Sequence, residues 1–176
     1  MGNVKKLVLS AFFLALGLVL PFLTGQIPQI GSMLSPLHIP VLLCGFICGW
    51  PWGLATGAIL PLLRSLVFGM PPMYPTAVAM AFEMAAYGLL AALLYRVFGQ
   101  RTGGIYAALA LAMLGGRLVW GAASYFLYVA AGNPFTFQMF LAGAFLKAWP
   151  GIILHLAIIP PIVLALKKAK LIPSSV

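Results

Sequence analysis

The chain has 176 residues, of which 64% are hydrophobic and only 6% are charged, whereas about a quarter of the residues in a typical soluble domain are charged. Ten Lys and Arg residues stand against a single acid, Glu83, so the formal net charge is +9. The composition predicts an integral membrane protein. It excludes hydrolysis by a pair of carboxylates and an ordinary zinc site. It also argues against nucleic acid as a partner, because most of the cations are spaced between long apolar runs and do not cluster on one face.

Six apolar segments follow one another along the chain, separated by Pro, Gly and charged residues. Because a membrane span needs about 20 apolar residues, the run 36–68 is too long for one span, and Trp50-Pro51-Trp52 interrupts it. We therefore expect an all-α fold, with residues 1–176 forming a single six-helix membrane domain. The predicted spans cover residues 4–24, 36–49, 51–68, 77–98, 105–130 and 139–166.

The positions of the cations predict the orientation of the bundle, because cytoplasmic loops carry an excess of Lys and Arg. The outer loops at 25–37, 69–76 and 131–137 contain no Lys or Arg, so both termini are predicted to be cytoplasmic. The apolar run 7–23 exceeds the roughly 7–15 residues usual for a signal peptide, so we expect it to be a retained span. The cations on the cytoplasmic side are Lys5, Lys6, Arg96, Arg101, Lys167, Lys168 and Lys170.

Four charged residues lie inside the predicted spans at comparable depths: Arg64, Glu83, Arg117 and Lys147. Intramembrane charges are functional candidates by default, so we expect all four to face one cavity that opens to the outside. Three cations against one acid favour a ligand with a carboxylate, which arginine binds with two hydrogen bonds. The alternative is that Glu83 pairs with Arg64 or Arg117 only to hold the bundle together.

Spacing and position add further residues to the predicted ligand site. Trp120 shares a helix face with Arg117, and Tyr87 lies one turn beyond Glu83. His38 is predicted at the outer mouth of the second span, and Asn133 in the last outer loop. The site predicted from the sequence therefore contains Arg64, Glu83, Arg117, Trp120, Lys147, His38, Tyr87 and Asn133.

Small residues mark a second set of surfaces. Ala11 and Ala15 form an A-x-x-x-A pattern in the first span, which allows another helix to approach closely. Glycines recur every four residues at Gly45, Gly49, Gly53 and Gly57, and we expect them to permit tight packing of the two short helices. Cys44 and Cys48 lie in the same apolar stretch and are predicted to be buried core thiols.

Catalytic patterns are not evident in the sequence. The serines lack a G-x-S-x-G context, and no Asp is present to complete a triad. The sequence contains no G-x-x-x-x-G-K-[ST] motif, so energy for active transport must come from another protein. We therefore expect a transport or binding protein without enzymatic activity, cofactor or metal.

These features together resemble the substrate-binding S components of energy-coupling factor (ECF) vitamin transporters. The resemblance covers nearly the whole chain: the length, six spans, A-x-x-x-A at Ala11 and Ala15, and a long outer first loop. Its most recognisable stretch is the pair HIPVLLCGFICG and WGLATGAILPLLRSLVFG, in which glycines follow Pro40 and a basic residue ends the third span.

The resemblance implies a high-affinity binding subunit for a vitamin or related micronutrient, located as a multi-pass protein in a bacterial cell membrane. A transmembrane coupling subunit and two cytoplasmic ATPases would be its partners, and the subunit would topple in the membrane to release its substrate. Ala11 and Ala15 would contact the coupling subunit, and the three outer loops would cap the pocket. A pantothenate-type member of the family fits the surplus cations best.

Two other functions remain open from the sequence. The chain could be a stand-alone proton-coupled carrier that uses Glu83 and His155, or a purely structural membrane subunit. His155 itself is either a hydrogen-bonded packing residue or a site for a proton or ligand. Inverted repeats, which are frequent in secondary carriers, are not evident between the two halves of the chain, and this argues against the carrier.

Overall fold

A computed structural model describes residues 2–24, 33–99 and 101–169, and seven α-helices lie wholly within this part of the chain. A 3₁₀ turn, Leu20–Thr24, extends the first helix. One π-helical turn, Met73–Ala77, leads directly into the fourth helix, and another, Ala142–Leu146, lies between the sixth and seventh helices. The helices are α1 (Asn3–Val19), α2 (His38–Cys48), α3 (Trp50–Phe68), α4 (Val78–Phe98), α5 (Thr102–Ala130), α6 (Phe137–Leu141) and α7 (Trp149–Lys168).

Five helical runs in the described ranges are long and apolar enough to cross a membrane, and α2 is a shorter apolar helix. The prediction of an all-α membrane protein is thereby confirmed. The six-span count and the cytoplasmic termini stay predictions. Lys170 and residues 25–32 of the predicted first outer loop lie outside the described residues.

Glycines end several of the helices where the sequence predicted boundaries. Gly49, Gly69 and Gly99 have φ values of 93°, 69° and 77°, a backbone region that glycine enters without the steric penalty that other residues meet. Gly49 joins α2 to α3, and Gly69 and Gly99 follow α3 and α4. The chain therefore reverses direction at these positions, and consecutive helices pack side by side.

Helix α2 forms the centre of the bundle. All its residues are buried, and α1, α3, α4 and α7 pack around it. Its sequence is apolar on every face, as expected for a helix without a solvent-facing side. With 11 residues, α2 extends only about 16 Å at 1.5 Å per residue, roughly half of the 30 Å hydrocarbon layer.

Glycines allow α2, α3 and α4 to pack with their backbones in contact. A Cβ atom at Gly45 would lie 2.5 Å from the carbonyl oxygen of Gly88, and one at Gly53 would lie 2.7 Å from the same atom. Gly57 packs against the backbone of Met84 in the same way. Gly45, Gly53 and Gly57 thus serve tight packing against α4, whereas Gly49 forms the turn between α2 and α3. Helix α3, with 19 residues, is longer than the short helix predicted there.

Helix α1 has one face toward the bundle and another facing outward. Ser10, Phe13 and Gly17 are its buried residues, whereas Ala11 and Ala15 are exposed. The A-x-x-x-A pattern therefore lies on a surface that is available to a neighbouring helix or to lipid.

Cys44 and Cys48 are free and buried, which confirms their prediction as core thiols.

Candidate functional site

A cavity of about 200 Å³ lies at the N-terminal end of α2. It is formed by the segment that leads into α2, by α4 and α5, and by the chain between α6 and α7. Three of the four intramembrane charged residues meet there. The polar, charged and aromatic residues that line it are Ser35, His38, Glu83, Arg117, Trp120 and Lys147.

Glu83 forms the centre of a buried hydrogen-bond network. Its side chain is 2% exposed, and its Oε1 atom lies 2.9 Å from Arg117 Nη1. The Tyr87 hydroxyl donates to the same oxygen over 2.9 Å, as the spacing of one helical turn allows. Gly116 provides the room for this arrangement, because a Cβ atom there would overlap the Tyr87 ring.

The ion pair identifies which arginine partners the only acid of the chain. Glu83 pairs with Arg117, and Arg64 is bound elsewhere: its Nη1 atom donates to the carbonyl oxygen of Leu18 over 2.8 Å. The Arg64 guanidinium also lies 5.7 Å and 5.2 Å from the ring centroids of Phe22 and Phe68. This placement corrects the expectation that all four charges face one cavity, since Arg64 joins α3 to the end of α1.

Lys147 enters the cavity from an irregular part of the last span. Its backbone N–H donates to the carbonyl oxygen of Ala142 over 2.9 Å, which is the five-residue spacing of a π-helical turn. Such turns are frequent at functional sites because they change the direction in which the following side chains point. Lys147 is exposed, and no ion pair with it is formed in the described part of the chain.

Two histidines share one backbone acceptor at the inner wall of the cavity. His38 Nδ1 lies 3.0 Å from the carbonyl oxygen of Ser35, and His155 Nε2 lies 3.3 Å from the same atom. Gly151 lets the segment before α2 dock on α7, because a Cβ atom there would lie 2.6 Å from the carbonyl oxygen of Met33. The sequence did not predict a role for Ser35. The only sign of a contact here was that Gly151 and His155 lie one helical turn apart and so share a face of α7.

Trp120 forms the outer wall of the cavity. Its ring lies 5.8 Å from the ring of Phe135 and is stacked at 6.2 Å from that of Phe140. Gly143 leaves room for the indole, since a Cβ atom there would lie 2.7 Å from its Cη2 atom. Beyond this wall, Phe135 and Phe140 line an open apolar groove of about 380 Å³.

Asn133 lies apart from the cavity. It is exposed in the loop after α5, and its Nδ2 atom lies 3.4 Å from the carbonyl oxygen of Ala131. Of the eight residues predicted for the site, five line the cavity, and Tyr87 contacts it through Glu83. Arg64 and Asn133 are the two that the structure does not bring to it.

The charges of the cavity favour a small anionic ligand. Glu83 is neutralised by Arg117, and the ammonium group of Lys147 adds a positive charge at the same cavity. Arginine carries five N–H donors, and Glu83 is the only hydrogen-bond or ion-pair partner of Arg117 within the described ranges. Within those ranges, no three His, Cys, Asp or Glu side chains come together as a metal site.

Comparison with known proteins identifies the family. The family described as "ECF transporter, substrate-specific component" matches residues 5–163, a stretch that includes every residue lining the cavity. No curated protein and no solved structure matches the chain. The family match agrees with the helical runs that are long and apolar enough to cross a membrane. The chain therefore belongs to the family of substrate-specific components of ECF transporters.

Proposed function

We propose that the chain binds a small, vitamin-like carboxylate in the cavity and works with a transmembrane coupling subunit and two cytoplasmic ATPases as an importer. The observation that carries the proposal is the charge of the cavity: Lys147 has no acidic partner among the described residues, and the Arg117–Glu83 pair lies beside it. A cation without a partner is costly at membrane depth. An anionic group of the ligand would replace water beside the Lys147 ammonium group and pair with it.

The size of the cavity narrows the class of ligand. Its volume of about 200 Å³ lies below the roughly 300–1,000 Å³ of pockets for drug-sized molecules. Trp120 offers a ring face for the apolar part of the ligand. A carboxylate of the size of pantothenate is the ligand that we propose to test first.

The ligand site can be tested by removing the unpaired charge. In Lys147→Gln, the affinity for a bound carboxylate is expected to fall at least about ten-fold, because the charge-assisted contact is lost. The unfolding temperature without ligand should stay within a few degrees of the wild type, since Lys147 is exposed and makes no ion pair within the described residues. Calorimetric titration of the detergent-solubilised protein with pantothenate, biotin, lipoate and nicotinate measures the change.

Lys168→Gln is the matched control, because it removes an exposed cation at the far end of α7. Equal affinities in the Lys147 and Lys168 variants would contradict the proposed site. Failure of all four carboxylates to bind the wild type would contradict the proposed ligand class. Uptake driven by a pH gradient in vesicles that contain this chain alone would favour the stand-alone carrier with Glu83 and His155.

The proposed coupling surface is the exposed small-residue face of α1. Ala11 and Ala15 lie on it, one turn apart, while the buried face of α1 is formed by Ser10, Phe13 and Gly17. Small side chains at this spacing let a second helix approach closely in a membrane. The surface is separate from the cavity, because none of the cavity-lining residues belongs to α1.

We expect Ala11→Leu combined with Ala15→Leu to reduce ATP-dependent uptake at least about ten-fold, because bulky side chains prevent the close helix contact. Ligand affinity should stay unchanged. Uptake into vesicles with the reconstituted complex, and titration of the isolated subunit, provide the two measurements. The matched control places leucine at Ala110 and Ala122, which are exposed on α5. Loss of ligand binding in the α1 variant would contradict the separation of the two surfaces.

A further inference from the structure

A second opening in the bundle lies between α1 and α7. Both helices pack against α2, but within the described ranges they hardly contact each other. The gap between them is an apolar groove of about 350 Å³, which we call the α1–α7 groove, and it shares no lining residue with the ligand cavity. In a membrane, an apolar groove of this kind is filled either by a hydrocarbon chain or by another helix.

The α1–α7 groove has the length of one leaflet of a bilayer. Along α1, its lining runs from Lys5 to Leu16, which is about 16 Å at 1.5 Å per residue. One leaflet contributes about half of the 30 Å hydrocarbon layer. Leu43 and Ile47 of α2 form the floor of the groove, and each is only 4% exposed. The groove is therefore an apolar channel along the side of the bundle, closed at its base by the central helix.

The width of the groove distinguishes between the two occupants. Averaged over this length, its volume corresponds to a cross-section of about 20 Å², whereas a helix about 10 Å in diameter has a cross-section of about 80 Å². Nonbonded carbon atoms pack about 4 Å apart, so a single extended hydrocarbon chain matches this width. The dimensions thus favour one acyl chain over a partner helix.

One end of the groove is basic. Lys5 lines the groove and is exposed, and Leu166 on the opposite wall is followed directly by two lysines at the end of α7. Glu83 is the only acidic residue in the sequence, and it pairs with Arg117. The chain therefore offers Lys5 no acidic side chain, and an anion from outside the protein can take that place.

The basic end is on the side of the bundle that the sequence predicts to be cytoplasmic. Anionic lipids of the cytoplasmic leaflet attract lysines at the membrane surface, and basic pockets between membrane helices on this side bind anionic headgroups. A phospholipid has the same arrangement as the groove, because its phosphate lies at the surface and its acyl chain extends through one leaflet.

From this geometry we infer that the α1–α7 groove binds one anionic phospholipid. Its acyl chain lies between Leu9 of α1 and Ile162 of α7, which line opposite walls, and its phosphate lies beside Lys5. This lipid is a second ligand, distinct from the imported compound, and its site does not depend on the proposed carboxylate cavity.

Native mass spectrometry of protein equilibrated with equal amounts of phosphatidylglycerol and phosphatidylcholine, both with oleoyl chains, tests the headgroup contact. We expect the wild type to retain one phosphatidylglycerol molecule about five-fold more often than one phosphatidylcholine, the effect of one lysine at the membrane surface. Lys5→Gln should remove most of this preference. Arg101→Gln, which removes an exposed cation outside the groove, should keep it. The same preference in both variants, or none in the wild type, would overturn the inference.

Filling the groove tests the contact with the acyl chain. In Leu9→Trp, retention of phosphatidylglycerol should fall at least about ten-fold, because each CH₂ group that loses its place in the groove weakens binding. Leu7→Trp is the matched control, since Leu7 is 55% exposed and does not line the groove. Unchanged lipid retention in Leu9→Trp would overturn the inference. If ATP-dependent uptake by the reconstituted complex falls at the same time, the groove contacts the coupling subunit instead.

Soluble competitors keep the test decisive if Leu9→Trp does not fold. Lysophosphatidylglycerol, with one acyl chain and the same headgroup, should displace the retained lipid from the wild type. Glycerophosphoglycerol, which is the headgroup without a chain, should not. Displacement by the free headgroup would overturn the role of the groove, and equal displacement by lysophosphatidylcholine would overturn the role of Lys5.

Discussion

Replacing Gly88 with leucine is expected to prevent the central helices from packing. A Cβ atom at Gly88 would overlap the carbonyl group of Gly53, and backbone atoms of a neighbouring helix cannot move aside as a flexible side chain can. Overpacking of well-packed cores costs about 1–3 kcal/mol and occasionally more. For this contact we expect the free energy of unfolding to fall by at least about 3 kcal/mol. Thermal unfolding of the purified protein in detergent measures it.

Gly103→Leu is the matched control for this substitution. A Cβ atom at Gly103 would meet no atom within 4 Å, and the residue is exposed in the first turn of α5. Its effect should therefore stay within about 0.5 kcal/mol, as for most surface substitutions. Similar unfolding temperatures for the two variants would contradict the close packing of α3 and α4.

Removing Arg117 is expected to destabilise the bundle strongly. In Arg117→Met, the buried Glu83 carboxylate loses its counter-ion, and breaking a buried ion pair in this way costs about 3–5 kcal/mol. Adding Glu83→Gln should recover most of that loss, because the neutral amide can still accept the Tyr87 hydrogen bond. The four proteins of the double-mutant cycle, unfolded thermally in detergent, give the coupling energy.

The double variant also decides whether the pair serves the ligand. We expect it to be stable and to bind the carboxylate probe at least about ten-fold more weakly, because Arg117 supplies donors that methionine lacks. Wild-type affinity in the double variant would assign the pair a purely structural role. A double variant as unstable as Arg117→Met would contradict the ion pair as the source of the destabilisation.

The sequence located most of the helical segments because breaks in helices have a local cause, but it predicted one segment at 139–166 where the structure has α6, a π-helical turn and α7. Glycines at positive φ and proline-containing turns separate the apolar runs, and both residue types restrict the backbone wherever they occur. The structure has α3 at Trp50–Phe68 and α4 at Val78–Phe98, against predicted segments at 51–68 and 77–98. The predicted depth of each charged residue followed from its position along its segment.

The directions in which the charged side chains point were not predictable. Arg64 and Arg117 had similar predicted depths, yet one donates to the Leu18 carbonyl and the other to Glu83. Which partner each arginine meets depends on how its helix is rotated about its axis against its neighbours, and a single sequence does not specify this rotation. The Ser35 carbonyl was missed for a different reason, since backbone acceptors carry no residue-type signal.

The shortness of α2 has a consequence for permeation. All 11 of its residues are buried, and His38 at its N-terminal end lines the cavity, so α2 forms a packed plug beside the cavity, about 16 Å deep at 1.5 Å per residue. The plug includes Val41, Leu42 and Phe46, each fully buried. Rotation of a few side chains opens no path through packing of this density. For the ligand site proposed above, release toward the opposite end of α2 therefore requires whole helices to separate or the entire subunit to move.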